Sequence, residues 1–195
     1  LQTFTGHEGL INRVSFNADA SQIASGSGDD TVRIWSPESS EAILTLEGHT
    51  GQITDLQYSR DSERLITSAL DGTMILWDAN SGEIIQRFQL PINNTVIWSV
   101  ATDPSNTWVL SGSSDQLIRL WDIESGQEVR RFEGHDNNVR HVAFPAAIGR
   151  IISAASDGTI RLWDMNSGVE LHRYNVQGNR VSGLIVRALT LGQDG

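Results

Sequence analysis

The chain has 195 residues, no cysteine, 14 Lys and Arg against 24 Asp and Glu, and a formal net charge of −10. Disulfides, thiolate metal sites and thiol nucleophiles are thereby excluded, while the redox compartment stays open and a cytoplasmic setting is the default expectation. The acidic field repels phosphate backbones and anionic membranes, so neither nucleic acid nor a membrane is expected as partner.

Trp35, Trp77, Trp121 and Trp163 are separated by 42, 44 and 42 residues, and each closes the same phrase. A period of this size marks a repeat architecture. In chain order, Leu1 to Phe4 aligns with the stretch ending at Leu46 and reads as an outer strand. Gly6-His7 opens the first unit, Ile23-Ala24 precedes small residues, and SGSGDDTVRIWS (25–36) closes it. The second unit repeats the pattern with Gly48-His49, Leu65-Ile66 and TSALDGTMILWD (67–78). The third has Val109-Leu110 and SGSSDQLIRLWD (111–122), and the fourth Gly134-His135, Ile151-Ile152 and SAASDGTIRLWD (153–164). Counting back 28 residues from each Trp reaches His7, His49 and His135, but Asn93 in the third unit.

Apolar alternation of period two before each Trp predicts strands rather than helical pairs. Asp-Asp or Asp-Gly at 29–30, 71–72 and 157–158, and Ser-Gly at 81–82, 125–126 and 167–168, predict the turns between them. Four strands with their turns fill the unit and leave no room for a helix. The two extra residues of the third unit fall after Phe88, in a connection. Beyond Tyr174, the spacing of Val181, Leu184 and Val186 matches that of Ile53, Leu56 and Tyr58, so a fifth unit is expected to begin and be cut off.

The Gly-His, the Ser/Thr-x-x-x-Asp and the terminal Trp-Asp resemble the WD-repeat β-propeller family over essentially the whole chain. The resemblance implies an all-β fold of four-stranded antiparallel blades, with repeats near 5–46, 47–88, 91–132 and 133–174 and a partial one at 175–195. It further implies part of a larger ring, most often seven-bladed, which at this period needs about 290 residues. The recurrent polar residues then become structural tetrads: His7, Ser25, Asp29 and Trp35; His49, Thr67, Asp71 and Trp77; His135, Ser153, Asp157 and Trp163. A hydrolase triad occurs once per active site, whereas this constellation recurs in register, and buried polar groups persist when they satisfy one another. The third unit keeps Ser111, Asp115 and Trp121 without the His, and a looser corner is expected there.

No catalytic, cofactor-binding or metal-binding residue is expected. Asp-x-Asn-x-Gly at 78–82 and 164–168 and Asp-x-Glu-x-Gly at 122–126 mimic calcium loops but read as hairpin turns. By resemblance, the chain is a protein-interaction scaffold that presents a channel rim to a peptide or protein. The rim positions single out Trp98 and Arg140, with Leu70, Val96 and Arg180 beside them as partner-binding candidates. Trp98 has the alternative of packing under the neighbouring insertion. Trp108 is expected on the surface at the start of a strand, with packing against the Pro104 turn and a partner contact as equal alternatives. Open blade edges make self-association a further expectation. Two other readings are a regulatory repeat module of a larger signalling protein, beside a kinase or nucleotide-binding switch, and a propeller enzyme.

Overall fold

The computed structural model describes residues 3–91, 95–145 and 149–176, and among these there are strands and turns but no helix. The first sheet holds β1 (Ile11–Phe16), β2 (Ile23–Ser27), β3 (Val32–Trp35) and β4 (Ala42–Leu46). The second holds β5 (Ile53–Tyr58), β6 (Arg64–Ala69), β7 (Thr73–Asp78) and β8 (Ile84–Gln89). The third holds β9 (Ile97–Thr102), β10 (Trp108–Ser113), β11 (Ile118–Asp122) and β12 (Glu128–Phe132), and the fourth β13 (Val139–Ala143), β14 (Arg150–Ala155), β15 (Thr159–Asp164) and β16 (Glu170–Asn175). Within every sheet the strands lie in sequential order.

The local chemistry explains the meander. In the connection after β7, the Asp78 carboxylate accepts backbone N–H bonds from Asn80 and Ser81, and the turn closes at Gly82 with φ of 76°, a left-handed conformation that glycine adopts without a Cβ clash. Asp122 and Asp164 hold the backbone N–H groups of Ser125 and Ser167 in the same way, so these carboxylates cap turns. Each Trp that closes a phrase sits at a register shift against the outer strand, as between Ile34 and Trp35. A second irregularity interrupts the pairing of the first two strands at Asn12, Thr54 and Arg140.

The chain divides into two compact units, 1–97 and 98–195. In the first, Ala24, Val32, Ile34 and Leu46 of the first sheet share a core with Ile53, Leu56, Tyr58 and Trp77 of the second. Gly26 makes this approach possible, because a Cβ there would lie 2.4 Å from Cγ2 of Ile53. In the second unit, Leu110, Ile118, Leu120 and Phe132 pack with Val139, Val142, Ile151 and Trp163. Gly112 plays the part of Gly26, since a Cβ there would lie 2.8 Å from Cγ1 of Val139. Burial of each such Leu, Ile or Phe contributes roughly 1.5–3 kcal/mol.

Trp108 begins β10 as expected and is half-buried, its ring packed against the core of the second unit together with Phe144 and Met165. Of the outer strand expected at 1–4, Leu1 and Gln2 lie outside the described residues, and Thr3 and Phe4 are in no strand. Phe4 instead lies with its ring 5.4 Å from that of Trp35, a contact like that of Phe132 with Trp163 at 5.9 Å. Asn93, Arg180, Val181, Leu184 and Val186 lie outside the described residues.

Candidate functional site

The recurrent polar residues converge in three sheets. Nε1 of Trp35 donates to Oγ of Ser25 at 2.8 Å, that hydroxyl lies 2.8 Å from Nε2 of His7, and Nδ1 of His7 lies 2.8 Å from Asp29. In the second sheet, Trp77 donates to Thr67 at 2.9 Å, Thr67 meets His49 at 2.7 Å, and His49 meets Asp71 at 3.3 Å. In the fourth, the distances from Trp163 through Ser153 and His135 to Asp157 are 2.8, 2.7 and 2.8 Å.

Proton directions follow from donor capacity. An indole N–H only donates, so the Ser or Thr oxygen accepts from it and directs its own proton to Nε2 of the His. The ring proton then sits on Nδ1 and faces the carboxylate. Backbone N–H groups of Glu8, Thr50 and Asp136 also donate to Asp29, Asp71 and Asp157. Burial alone would raise these carboxyls, but the hydrogen bonds outweigh it and hold all three low, Asp157 at about 2. Burial pushes His135 below its ordinary value against the pull of Asp157, so a neutral ring donates to an ionised carboxylate. Thr67 and Ser153 have no exposed surface. Such hydroxyls cannot meet a substrate, and the networks act as cross-ties between turn and strand.

One member of each network escaped the sequence reading. Thr31, Thr73 and Thr159 donate from Oγ1 to the carboxylate at 2.7, 2.7 and 2.8 Å and also touch Nδ1 of the His. The signal was present as Asp-x-Thr in these three phrases, where the third has Asp115-Gln116-Leu117. The unit without the His also lacks the Thr.

The third sheet is not simply loosened. Trp121 still donates to Ser111 at 2.9 Å, while Asp115 turns to Arg119, whose Nη2 is 2.6 Å away and whose side chain is fully buried. Ser113 Oγ adds a bond of 2.5 Å to Asp115, and Nε of Arg119 reaches Glu128 at 3.1 Å. An arginine thus supplies the donors that the His and Thr supply elsewhere. Arg161 does part of this in the fourth sheet, 2.8 Å from Glu170 and 3.3 Å from Asp157. The partner lies nine residues on in both cases. At those two positions the second sheet has Ile75 and Ile84, and the first has Arg33 and Ala42. Without a Glu opposite, Nε of Arg33 is buried with no hydrogen-bond partner among the described residues, and the guanidinium lies 5.9 Å from the centre of the Trp35 ring.

The partner-binding candidates divide between the units. Leu70, 39 % exposed, and the half-buried Val96 belong to the first; Trp98 and Arg140 belong to the second. Asn12 and Thr54, at the positions equivalent to Trp98, stitch neighbouring strands by donating to the carbonyls of Ile53 at 2.9 Å and Ile97 at 2.5 Å. Trp98 does not do this. Its indole N–H is buried with no hydrogen-bond partner among the described residues, and the Arg140 guanidinium lies 3.9 Å over its ring. Nε of Arg140 also donates to Ser156 at 3.2 Å. Among the described residues, no three His, Asp or Glu side chains gather as a metal site.

Four-stranded antiparallel sheets, cross-tied by Trp, Ser/Thr, His and Asp, define an all-β repeat protein made of blades. The chain belongs to the WD40 family (WD domain, G-beta repeat), which it matches at residues 1–36, 40–78, 82–122 and 126–164. It is 50 % identical over 44 residues to periodic tryptophan protein 2 homolog of Schizosaccharomyces pombe, a match covering 23 % of this chain and 5 % of the relative. It is 49 % identical over 45 residues to transcriptional repressor tup12 of the same yeast, covering 23 % and 8 %. Notchless protein homolog of Arabidopsis thaliana is 46 % identical over 44 residues, covering 23 % and 9 %. Each match therefore spans about one repeat and a small part of the relative's length. WD40 repeats typically serve as protein-interaction scaffolds.

Proposed function

We propose that this chain is a non-catalytic scaffold whose WD repeats, as part of a propeller ring, present a rim surface to a peptide or protein partner. Trp98 and Arg140 are its central contacts. The single observation behind this reading is the Trp98 indole, which occupies a position used for strand stitching elsewhere yet whose N–H has no partner among the described residues and whose ring lies under a guanidinium. Trp and Arg dominate the energetics of protein interfaces, and a stacked cation is pre-oriented for a partner's acidic or carbonyl groups. Leu70 and Val96 are proposed as further apolar partner contacts by their rim positions in the repeat, and Arg180 by its sequence position.

The test is to capture partners with the wild-type chain and remeasure each affinity with Trp98→Ala and Arg140→Ala. Trp98→Ala is expected to weaken binding by about 2 kcal/mol or more while leaving the unfolding midpoint near that of wild type. Unchanged affinity removes Trp98 from the contact surface.

A further inference from the structure

Each described sheet is complete with four strands, and its outer strand pairs on one side only. An unpaired strand edge is a template for another extended chain, and charged side chains are a common device that blunts it. Three of the four outer strands carry that device. Thr45 of β4, Arg87 of β8, Arg131 of β12 and Arg173 of β16 occupy one position, opposite Arg33, Ile75, Arg119 and Arg161 of the preceding strand. All three outer-strand arginines are exposed, and β12 and β16 add Glu128 and Glu170. In contrast, β4 reads AILTL and has no charged side chain, with Thr45 exposed and Ile43 50 % exposed. The register shift opposite the Trp is common to all four outer strands and does not set β4 apart. Leu44 and Leu46 point the other way, to the second sheet, where a Cβ on Gly82 would lie 3.6 and 3.0 Å from their methyl carbons. Charge stands at the ends of β4 instead. Glu38 and Glu41 before it and Glu47 after it are exposed, and among the described residues no cation pairs with their carboxylates.

We propose that the β4 edge takes an extended segment of a partner protein as a fifth strand of the first sheet, and that this segment carries alternating apolar residues between Arg or Lys ends. The surface is separate from the rim and uses none of its residues. Main-chain hydrogen bonds to an open edge give such an addition its affinity, and alternate side chains give it specificity. An apolar side chain set beside Ile43 adds a cross-strand contact. Charge selects the occupant. Glu38, Glu41 and Glu47 bracket the apolar edge, and a net charge of −10 draws a cationic segment while it repels a second copy of this chain. Arg87, Arg131 and Arg173 oppose the same segment on the other outer strands, so Thr45 marks the one edge that receives it among the described sheets.

The test uses the whole chain and a synthetic peptide of alternating Val and Thr with Arg at both ends. Titration is expected to show binding that weakens as salt rises, with slowed hydrogen exchange of backbone amides confined to β4. Thr45→Arg, a side chain that three sheets already carry at this position, is expected to keep the unfolding midpoint and to weaken binding about tenfold or more. Glu41→Gln with Glu47→Gln is expected to weaken it and to flatten its salt dependence. The peptide with Glu at its ends, or with N-methyl groups on alternate amides, is expected not to bind. Trp98→Ala is expected to leave the binding unchanged, which separates this edge from the rim. The exchange pattern of the wild-type chain needs no variant, so it decides the matter even where Thr45→Arg is unstable. No binding, protection outside β4, equal binding of either control peptide, or equal binding by a folded Thr45→Arg chain overturns the proposal. A wild-type chain that pairs with itself, and ceases to in Thr45→Arg, assigns the edge to a second copy and overturns it likewise.

Discussion

Removing one oxygen from a network, in two sheets whose Trp, Ser, His and Asp lie at matching distances, measures what the cross-tie contributes. Ser153→Ala deletes the atom that accepts from Trp163 at 2.8 Å and meets His135 at 2.7 Å. Trp163 and His135 are 1 and 5 % exposed, and Trp163 lies under Phe132 of the neighbouring sheet. Two buried polar atoms are left without partners, at about 1–3 kcal/mol each. His135 cannot compensate by rotating, because its other nitrogen already serves Asp157. The expected loss is about 3–4 kcal/mol. Ser25→Ala removes matching contacts of 2.8 and 2.8 Å, but His7, Ser25 and Trp35 line an open groove, where water can take the place of the hydroxyl. Its expected cost is about 1 kcal/mol. Urea unfolding followed by tryptophan fluorescence, at protein concentrations low enough to keep single copies, compares the two at unchanged m-value. Equal losses, or a loss under about 0.5 kcal/mol for Ser153→Ala, would refute the argument that enclosure sets the worth of the network.

Arg119→Ile removes the buried cation between Asp115 and Glu128, leaving Asp115 to Ser113 and the Leu117 N–H and Glu128 to Arg131, and is expected to cost about 2 kcal/mol, below the full buried-pair range because the carboxylates keep these partners and are 16 and 19 % exposed on their side chains. Arg119→Ile with Glu128→Ile recreates the Ile75 and Ile84 pair of the second sheet, and a double-mutant cycle should return a coupling of about 1 kcal/mol, additivity being the contrary result. Acidification should destabilise the second unit in two stages. His135 has a depressed folded pKa, so the unfolded chain takes up its proton first, and stability falls as pH drops below about 6.5 through that lowered value. Asp157 is held at about 2 against an ordinary 3.8, so its contribution is complete above about 4 and is lost as pH falls toward 2. Asp157→Asn should flatten the lower stage in a pH series of unfolding midpoints, and an unchanged profile would remove Asp157 from that stage.

Much of this molecule was legible in its residues because its defining hydrogen bonds are short-range in sequence and recur. The Trp lies 10 residues after its Ser or Thr, and the His lies 18 before it. Such offsets are set by hairpins that the Asp and Gly turns already specify, so one period of 42 residues fixed the strands and the tetrads together. Other features required three dimensions. That Arg119 takes over from a missing His depends on two strands bringing Asp115, Ser113 and Glu128 to one guanidinium. The strand irregularities at Asn12, Thr54 and Arg140 leave no mark on the alternation of apolar residues, yet they aim those side chains. Burial was the least readable property. Ile11, Val14 and Phe16 present the same pattern as Ile53, Leu56 and Tyr58, but one set is exposed and the other enclosed. A strand's own residues determine which face is apolar, whereas only a neighbouring sheet determines whether that face is covered.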